Sequence, residues 1–260
     1  MNSTLNEIVR QTAHRTWLPA GPWVMAQTWR DLLFAHWPIA PAIMRSLIPP
    51  SLELDTFGGE AWLGVVPFRM TGVRPRWLPA GPWLSHFAEL NVRTYISMTD
   101  RGVVKPGVFF FSLDAANPLA VQIARSFFML PYFNAQMMLL NDGDAVHYLS
   151  RRTHRNAPAA LLSASYRPTG AIYQSQPASI DQWLTERYAL YTVDRAGHPM
   201  IGEIHHLPWP LQPAQADLSL NSMAQAAGIT LPEVAPILHF ARSIDVAIWP
   251  LRRVETTEQS

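Results

Sequence analysis

A chain of 260 residues with 48% apolar and only 15% charged residues has the composition of a packed globular protein, since the usual charged share is about 25%. Its formal net charge of +1 gives no electrostatic reason to expect a nucleic acid or a membrane surface as partner. The absence of cysteine excludes disulfides, thiolate nucleophiles and cysteine-ligated metals and makes the cytoplasm the expected compartment.

The opening stretch MNSTLNEIVRQTAHR lacks the apolar core of a signal peptide, and no apolar run approaches the ~20 residues of a membrane span. Residues 1–22 read as a helical or loop extension. The heptad WLPAGPW occurs at residues 17–23 and again at 77–83, but the flanks do not align. A structural repeat must carry a whole supersecondary unit, so both copies are read as Pro-Gly loops leading into strands. VMAQTWRDLLFAHW is a strand, Ala40 to Leu47 a short helix, and LELDTF with AWLGVVPFRM a hairpin around Gly58-Gly59. FAELNVRTYISM and VVKPGVFFFSLDA follow as strands. Asn117-Pro118 opens a helix, with asparagine at the N-cap and proline at N1. Leu119, Ile123 and Phe127 fall at helical spacing, as do Ala124 and Phe128, and Pro131 stops the helix at Leu130. QMMLL and AVHYLSRR form a second hairpin around NDGD, and LLSASYRP is a strand. Ser179 caps a helix to Arg187. YALYTVD and PMIGEIHH form a third hairpin, a short helix covers Met223 to Ala227, and ARSIDVAIWPL is the last strand.

Strands joined by short turns, interrupted singly by helices, predict a mainly β, antiparallel architecture. So many strands without an edge device point to closure into a barrel. The expected organisation is one domain over residues 23–253, with a flexible tail at 254–260.

The strand FAELNVRTYI carries the clearest candidate site. With a side-chain period of two, Phe87, Glu89, Asn91, Arg93 and Tyr95 share one face, and Leu90, Val92, Thr94 and Ile96 the other. The polar face is either a solvated outer surface with a weak ion pair or a lumen in which Glu89 and Arg93 hold each other charged and bind a polar ligand. Glu203, His205 and His206 invite a metal reading, but adjacent histidines on a strand point apart and a third ligand would have to come from His36 or His147; no metal is expected. Arg151, Arg152 and Arg155 form a basic patch, read as a solvated loop or as an anion site. The chain holds a single lysine, Lys105, which precedes Pro106 and reads as an exposed strand-end residue. There is no G-x-S-x-G and no phosphate-cradling glycine loop.

The blocks LLFAHWPI, LELDTFGGEAWLGVVPFRM, ELNVRTY, KPGVFFFSLDAANPLAV, LPYF, LTERYALYT, GEIHHLPWPLQP and DVAIWPLRRV, in one order from about Trp23 to the C-terminal tail, resemble the YqjF-like family, a domain of unknown function. That family is similar to the acetoacetate decarboxylase-like superfamily, and the resemblance implies a closed, cone-like antiparallel β-barrel around a central cavity. Those decarboxylases carry a block close to Arg-Glu-Ile-Tyr-Gly-Phe-Pro-Lys-Lys, whose first lysine forms a Schiff base. Here the stretch is RSFFMLPYF: Arg125 matches the arginine, Phe128 the aromatic and Pro131 the proline, while Tyr132 and Phe133 stand where the lysines belong. The resemblance also places Glu89 near an acidic cavity position and Tyr132 in the lumen.

The expected function is binding of a small carboxylated or polar-apolar metabolite by Glu89, Asn91, Arg93 and Tyr132, without Schiff-base decarboxylation and without a cofactor. One alternative is an enzyme with Tyr132 and Glu89 as acid-base residues. The other is a structural or interaction protein whose barrel is filled by side chains. A homo-oligomer is compatible with the sequence.

Overall fold

The computed structural model describes residues 2–81 and 85–255, with side chains for all of these but 2–4, 126 and 127. Part of the second heptad, residues 82 and 83, and the expected tail from residue 256 onward lie outside the described residues.

Helix α1 (Asn2–Arg10) sets Leu5 against Trp23, Ala26, Ala247 and Trp249, with Ile8 and Val9 beside it; the i, i+3, i+4 spacing makes this one helix face. Strand β1 (Met25–Ile39) and helix α2 (Pro41–Leu47) follow. Next come β2 (Ala61–Pro75), β3 (His86–Asp100) and β4 (Val103–Ala115). Helix α3 (Pro118–Phe128) is capped as its sequence demands, Asn117 Oδ1 accepting from the amides of Leu119 and Ala120. It ends at Met129, in the left-handed region with φ 51°. Then β5 (Tyr132–Asp142), β6 (Ala145–Arg152) and β7 (Leu161–Pro168) form a meander. Helix α4 (Ile180–Thr185) starts at Ser179, whose hydroxyl accepts from the Gln182 amide. The chain continues through β8 (Ala189–Val193), β9 (Pro199–His205), β10 (Gln212–Asn221), α5 (Met223–Ala226), β11 (Ile237–Ile248) and β12 (Arg252–Arg253).

The strands form one sheet whose pairings close on themselves twice. The first ring runs β1-β2-β3-β4-β8-β9-β11 and returns to β1. The second leaves β4 through β5, β6, β7 and β10 and rejoins at β11. The five strands β11, β1, β2, β3 and β4 belong to both. The expected all-antiparallel order is corrected at two places, because β4 pairs in parallel with β5 and with β8. A parallel return needs a crossover, and α3 supplies the one to β5.

Period-two alternation on the shared strands sorts side chains between the rings. Leu33, Ala35, Leu63, Val65, Leu90 and Val92 pack in one cluster with Val146, Tyr148, Leu162, Tyr166 and Phe240. Side chains fill the second ring in this way. The opposite faces of the same strands contribute Leu32, Phe34, Val66, Phe68 and Met70 to a separate apolar cluster.

Two local expectations change. LELDTF is not an arm of a hairpin with β2: the glycine turn is tight, with Gly58 and Gly59 at φ 64° and 84° and a Phe57–Glu60 bridge. The segment instead lies along β3, the Asp55 amide donating to the Tyr95 carbonyl and the Ser97 amide to the Glu53 carbonyl. In α3, Leu119 and Ile123 are both exposed, Val121 is buried, and Ala120, Ala124 and Phe128 line the interior beside Ile123; the Phe127 side chain lies outside the described residues. Among the described residues no helix is long and apolar enough to cross a membrane.

Candidate functional site

The first ring encloses a cavity of about 400 Å³ whose lining also takes in residues of α3 and Leu78, Pro79 and Gly81. Glu89, Asn91, Arg93 and Tyr132 all line it. The alternation of β3 therefore resolves toward the interior, and the solvated-face reading is set aside: Glu89, Asn91 and Arg93 are at most 8% exposed. Tyr95, on the same face, stays below the floor, its hydroxyl donating to the Leu184 carbonyl and sharing a 2.7 Å hydrogen bond with His36 Nε2.

Glu89 and Arg93 do not hold each other charged. Among the described residues no ion pair joins them; four residues apart on a strand, they stand about 13 Å from each other along its axis. Glu89 instead accepts a 3.1 Å hydrogen bond from the Tyr132 hydroxyl. Burial lifts its carboxyl to about 8, against the opposing Tyr132 hydrogen bond and with help from the nearby Asp114 charge. Glu89 is thus a neutral acid at neutral pH, because a carboxylate without a counter-ion is poorly solvated inside a protein. Burial, and then the neighbouring Glu89, push the Tyr132 phenol well above its ordinary range. Phe133, next in sequence, points away from Tyr132 and lies under the Arg152 guanidinium at 4.1 Å.

Arg93 occupies the other end. Its Nη2 donates to the Leu184 carbonyl at 3.3 Å, its Nε has no hydrogen-bond partner among the described residues, and its guanidinium lies 5.2 Å from the Phe34 ring centre. Gly64, opposite Arg93 on β2, makes the room: a Cβ there would sit 3.1 Å from His36 and 3.3 Å from the Arg93 Cγ. A second guanidinium, Arg187, follows α4 and also lines the cavity. It donates to Asp55 at 2.6 Å and to the Trp183 carbonyl at 2.6 Å, leaving a buried Nη2 unpartnered. Asn91 Oδ1 and Trp209 Nε1 are likewise buried without a hydrogen-bond partner among the described residues. Between the two ends the wall is aromatic: Phe34 and Trp209 meet edge to face at 4.9 Å, and Trp29 stacks on Trp209 at 6.0 Å and tilts against Phe68 at 5.8 Å.

Other sequence candidates fall elsewhere. His206 reaches the cavity, where burial lowers it to about 3. Its neighbour His205 faces Arg15, with Nδ1 to Nη1 at 2.9 Å, as adjacent strand residues must. Glu203 is not beside His205 as a ligand; it receives Lys105 at 2.7 Å. His147 is exposed on β6. The reading of Lys105 as exposed is corrected: it is 5% exposed, bonds Asp100 at 2.9 Å as well as Glu203, and lies 4.6 Å from the Trp17 ring. It is not among the residues lining the cavity. The basic patch also divides, since Arg152 forms a buried two-pronged pair with Asp114 at 2.7 Å, whereas Arg151 and Arg155 are exposed. A wider surface cleft of about 750 Å³ lies between residues 8–14 and β11; its acid, Asp245, already accepts from Thr28 at 2.6 Å.

Sequence reasoning missed Arg187 and Trp209 and weighed His206 only as a metal ligand. All three sit just outside regular strands, where periodicity carries no signal; an arginine close to a tryptophan in WLTERY was the available hint.

The pattern of DUF2071, described as an uncharacterized conserved protein, matches residues 26–245. The chain is 50% identical over 236 residues to the uncharacterized protein YqjF of Bacillus subtilis, covering 91% of this chain and 95% of that one. Among solved structures, it resembles acetoacetate decarboxylase from Legionella pneumophila with a TM-score of 0.57 at 13% identity, over 99% and 97% of the two chains. It also resembles the enduracididine biosynthesis enzyme MppR, solved with a condensation product of pyruvate and imidazole 4-carboxaldehyde, with a TM-score of 0.59 at 11% identity over 90% of each chain. At such identities the likeness is one of fold: a mainly β, acetoacetate decarboxylase-like architecture.

Proposed function

The chain belongs to the DUF2071 family of uncharacterized conserved proteins, and from that premise we propose that it binds a small carboxylated metabolite in the central cavity of a cone-like barrel, without Schiff-base chemistry. The observation that carries this reading is Arg93. Its guanidinium is almost wholly buried, lines the cavity and has no acidic partner among the described residues. An unpaired buried charge is costly, and a bound carboxylate would neutralise it while accepting its free N–H. The mostly apolar wall suits the remainder of such a molecule. A barrel filled by its own side chains, the structural alternative, fits poorly with a cavity of about 400 Å³.

Imine formation is disfavoured by the same geometry. Tyr132 and Phe133 hold the positions that resemble the decarboxylase lysines, and Lys105 is tied to Asp100 and Glu203 outside the cavity. A catalytic reading rests on one further observation, the Tyr132–Glu89 hydrogen bond. A carboxyl raised to about 8 can donate a proton to a bound carbonyl at neutral pH and recover it afterwards.

Calorimetric titration of the wild type with a panel of small carboxylic acids and their methyl esters tests binding. Acids should bind and esters should not, and Arg93→Met should abolish the distinction. Equal binding of acids and esters would refute the reading. Borohydride treatment with acetoacetate should leave no adduct on Lys105.

A further inference from the structure

The two ends of the cavity differ in charge, and the register of the sheet sets the distance between them. Along β3, Glu89 pairs with Phe68, Asn91 with Val66 and Leu113, and Arg93 with Gly64 and Phe110. The interior is therefore layered: an acid with a phenol at one level, an amide among apolar side chains at the next, and a guanidinium at the third. The bulge in the β3–β4 pairing falls on β4, where Phe111 is the extra residue, so β3 itself is regular across the three levels.

The third level has two cations. The guanidinium carbons of Arg93 and Arg187 lie 5.8 and 4.9 Å from the centre of the Tyr95 ring. Asp55, their nearby acid, bonds Arg187 alone. Among the described residues each arginine retains an unpartnered N–H, Nε of Arg93 and Nη2 of Arg187. Phe34 and Trp209, which meet edge to face at 4.9 Å, both line the cavity and give it aromatic wall suited to an aromatic guest. At the first level Glu89 offers a neutral carboxyl group, which both donates and accepts a hydrogen bond.

We propose that the ligand is a para-substituted aryl carboxylate bound end to end: its carboxylate on Arg93 and Arg187, its ring against Phe34 and Trp209, and a neutral hydroxyl or carbonyl oxygen on Glu89. This deepens the reading of the cavity as a carboxylate site and rests on it. The span follows from the strand. Four residues at ~3.3 Å set the backbones of Glu89 and Arg93 about 13 Å apart along β3, and their side chains enter the cavity from these two levels, so a guest that touches both must be extended. A para-substituted ring carries its two polar groups at opposite ends of such an extended guest, whereas acetoacetate and pyruvate are too short to touch both ends. Arg187 becomes a specificity residue: Asp55 and the Trp183 carbonyl fix two of its donors, so the third is aimed rather than floppy.

Titration calorimetry of the wild type with 4-hydroxybenzoate, benzoate and 4-hydroxybenzyl alcohol tests the proposal without requiring any variant to fold. 4-Hydroxybenzoate should bind at least tenfold more tightly than benzoate, which lacks the Glu89 contact. It should bind at least tenfold more tightly than the alcohol, which lacks the charge for the arginines. In Glu89→Leu the preference over benzoate should vanish while benzoate binding persists; in Arg187→Lys both acids should weaken by a similar factor. Equal affinities for 4-hydroxybenzoate and benzoate in the wild type would overturn end-to-end recognition and leave the carboxylate reading standing, as would tight binding of aliphatic acids with none of these aryl acids. Failure of every carboxylic acid, aryl or aliphatic, would overturn both.

Discussion

Glu89→Gln isolates the energetic consequence of a carboxyl held inside the cavity wall. An ordinary glutamate has a value of 4.5, and burial raises Glu89 to about 8. Between these two values the folded protein holds a proton that the unfolded chain has released, so stability falls as pH rises through this window. At about 1.4 kcal/mol per pH unit, the loss reaches roughly 3 kcal/mol at pH 7 and roughly 5 kcal/mol above pH 9. Set against a typical total of about 5–15 kcal/mol, that is a large share. Glutamine keeps the shape and can still accept from the Tyr132 hydroxyl, which bonds Glu89 at 3.1 Å, but it never ionises. Urea denaturation at pH 5, 7 and 9 should therefore give nearly coincident curves for the two proteins at pH 5 and a more stable variant at pH 9. With a urea slope of ~3 kcal/mol/M, the midpoints should separate by more than about 1 M at the alkaline end. Parallel pH profiles for wild type and variant would refute the reasoning, since they would mean that Glu89 ionises normally.

Three other outcomes are expected. Lys105→Met removes the ammonium shared by Asp100 and Glu203 and should cost about 3 kcal/mol in chemical denaturation, the lower end for breaking a buried pair, because Arg252 still contacts both acids. At Gly107, where β4 meets β8, an alanine Cβ would sit 2.5 Å from the Ala189 carbonyl oxygen; Gly107→Ala should destabilise by about 3 kcal/mol, measured by thermal melting. Burial lowers His205 to about 4 and His206 to about 3, so the unfolded chain takes up protons first on acidification. Stability should fall from about pH 6.5 down to about pH 3, and substituting both residues by glutamine should flatten that limb in acid denaturation.

The legible parts of the fold were those in which a local pattern and the tertiary outcome obey the same rule. The alternation Phe87-Glu89-Asn91-Arg93 against Leu90-Val92 needs only a strand between two unlike environments, and β3 is that strand. Asn117-Pro118 starts a helix through its own side chain. What could not be read depends on partners distant in sequence. Lys105 looks like a strand-end lysine until Glu203 and Arg252 arrive, and Arg187 owes its place to Asp55, 132 residues earlier. The strand β10, QPAQADLSLN, was missed because its inward residues are Ala214, Ala216 and Leu218, too small to stand out from the polar ones between them. The parallel pairings of β4 left no trace in sequence, since a parallel neighbour is chosen by a crossover and not by a turn.

The closure of both rings on β11 has a consequence for synthesis. Met25 pairs with Ile248, and Leu32 with Ala241, so β1 waits for more than two hundred residues before its second neighbour exists. The same late strand also completes β9 and β10. While the chain is still on the ribosome, β1, β9 and β10 each present an unsatisfied row of backbone amides and carbonyls, and such rows recruit other strands. Contacts of this sequence separation form slowly. A message cut short before residue 237 would yield a chain with three open edges instead of a smaller working protein, and nascent copies on one polysome are the strands nearest at hand.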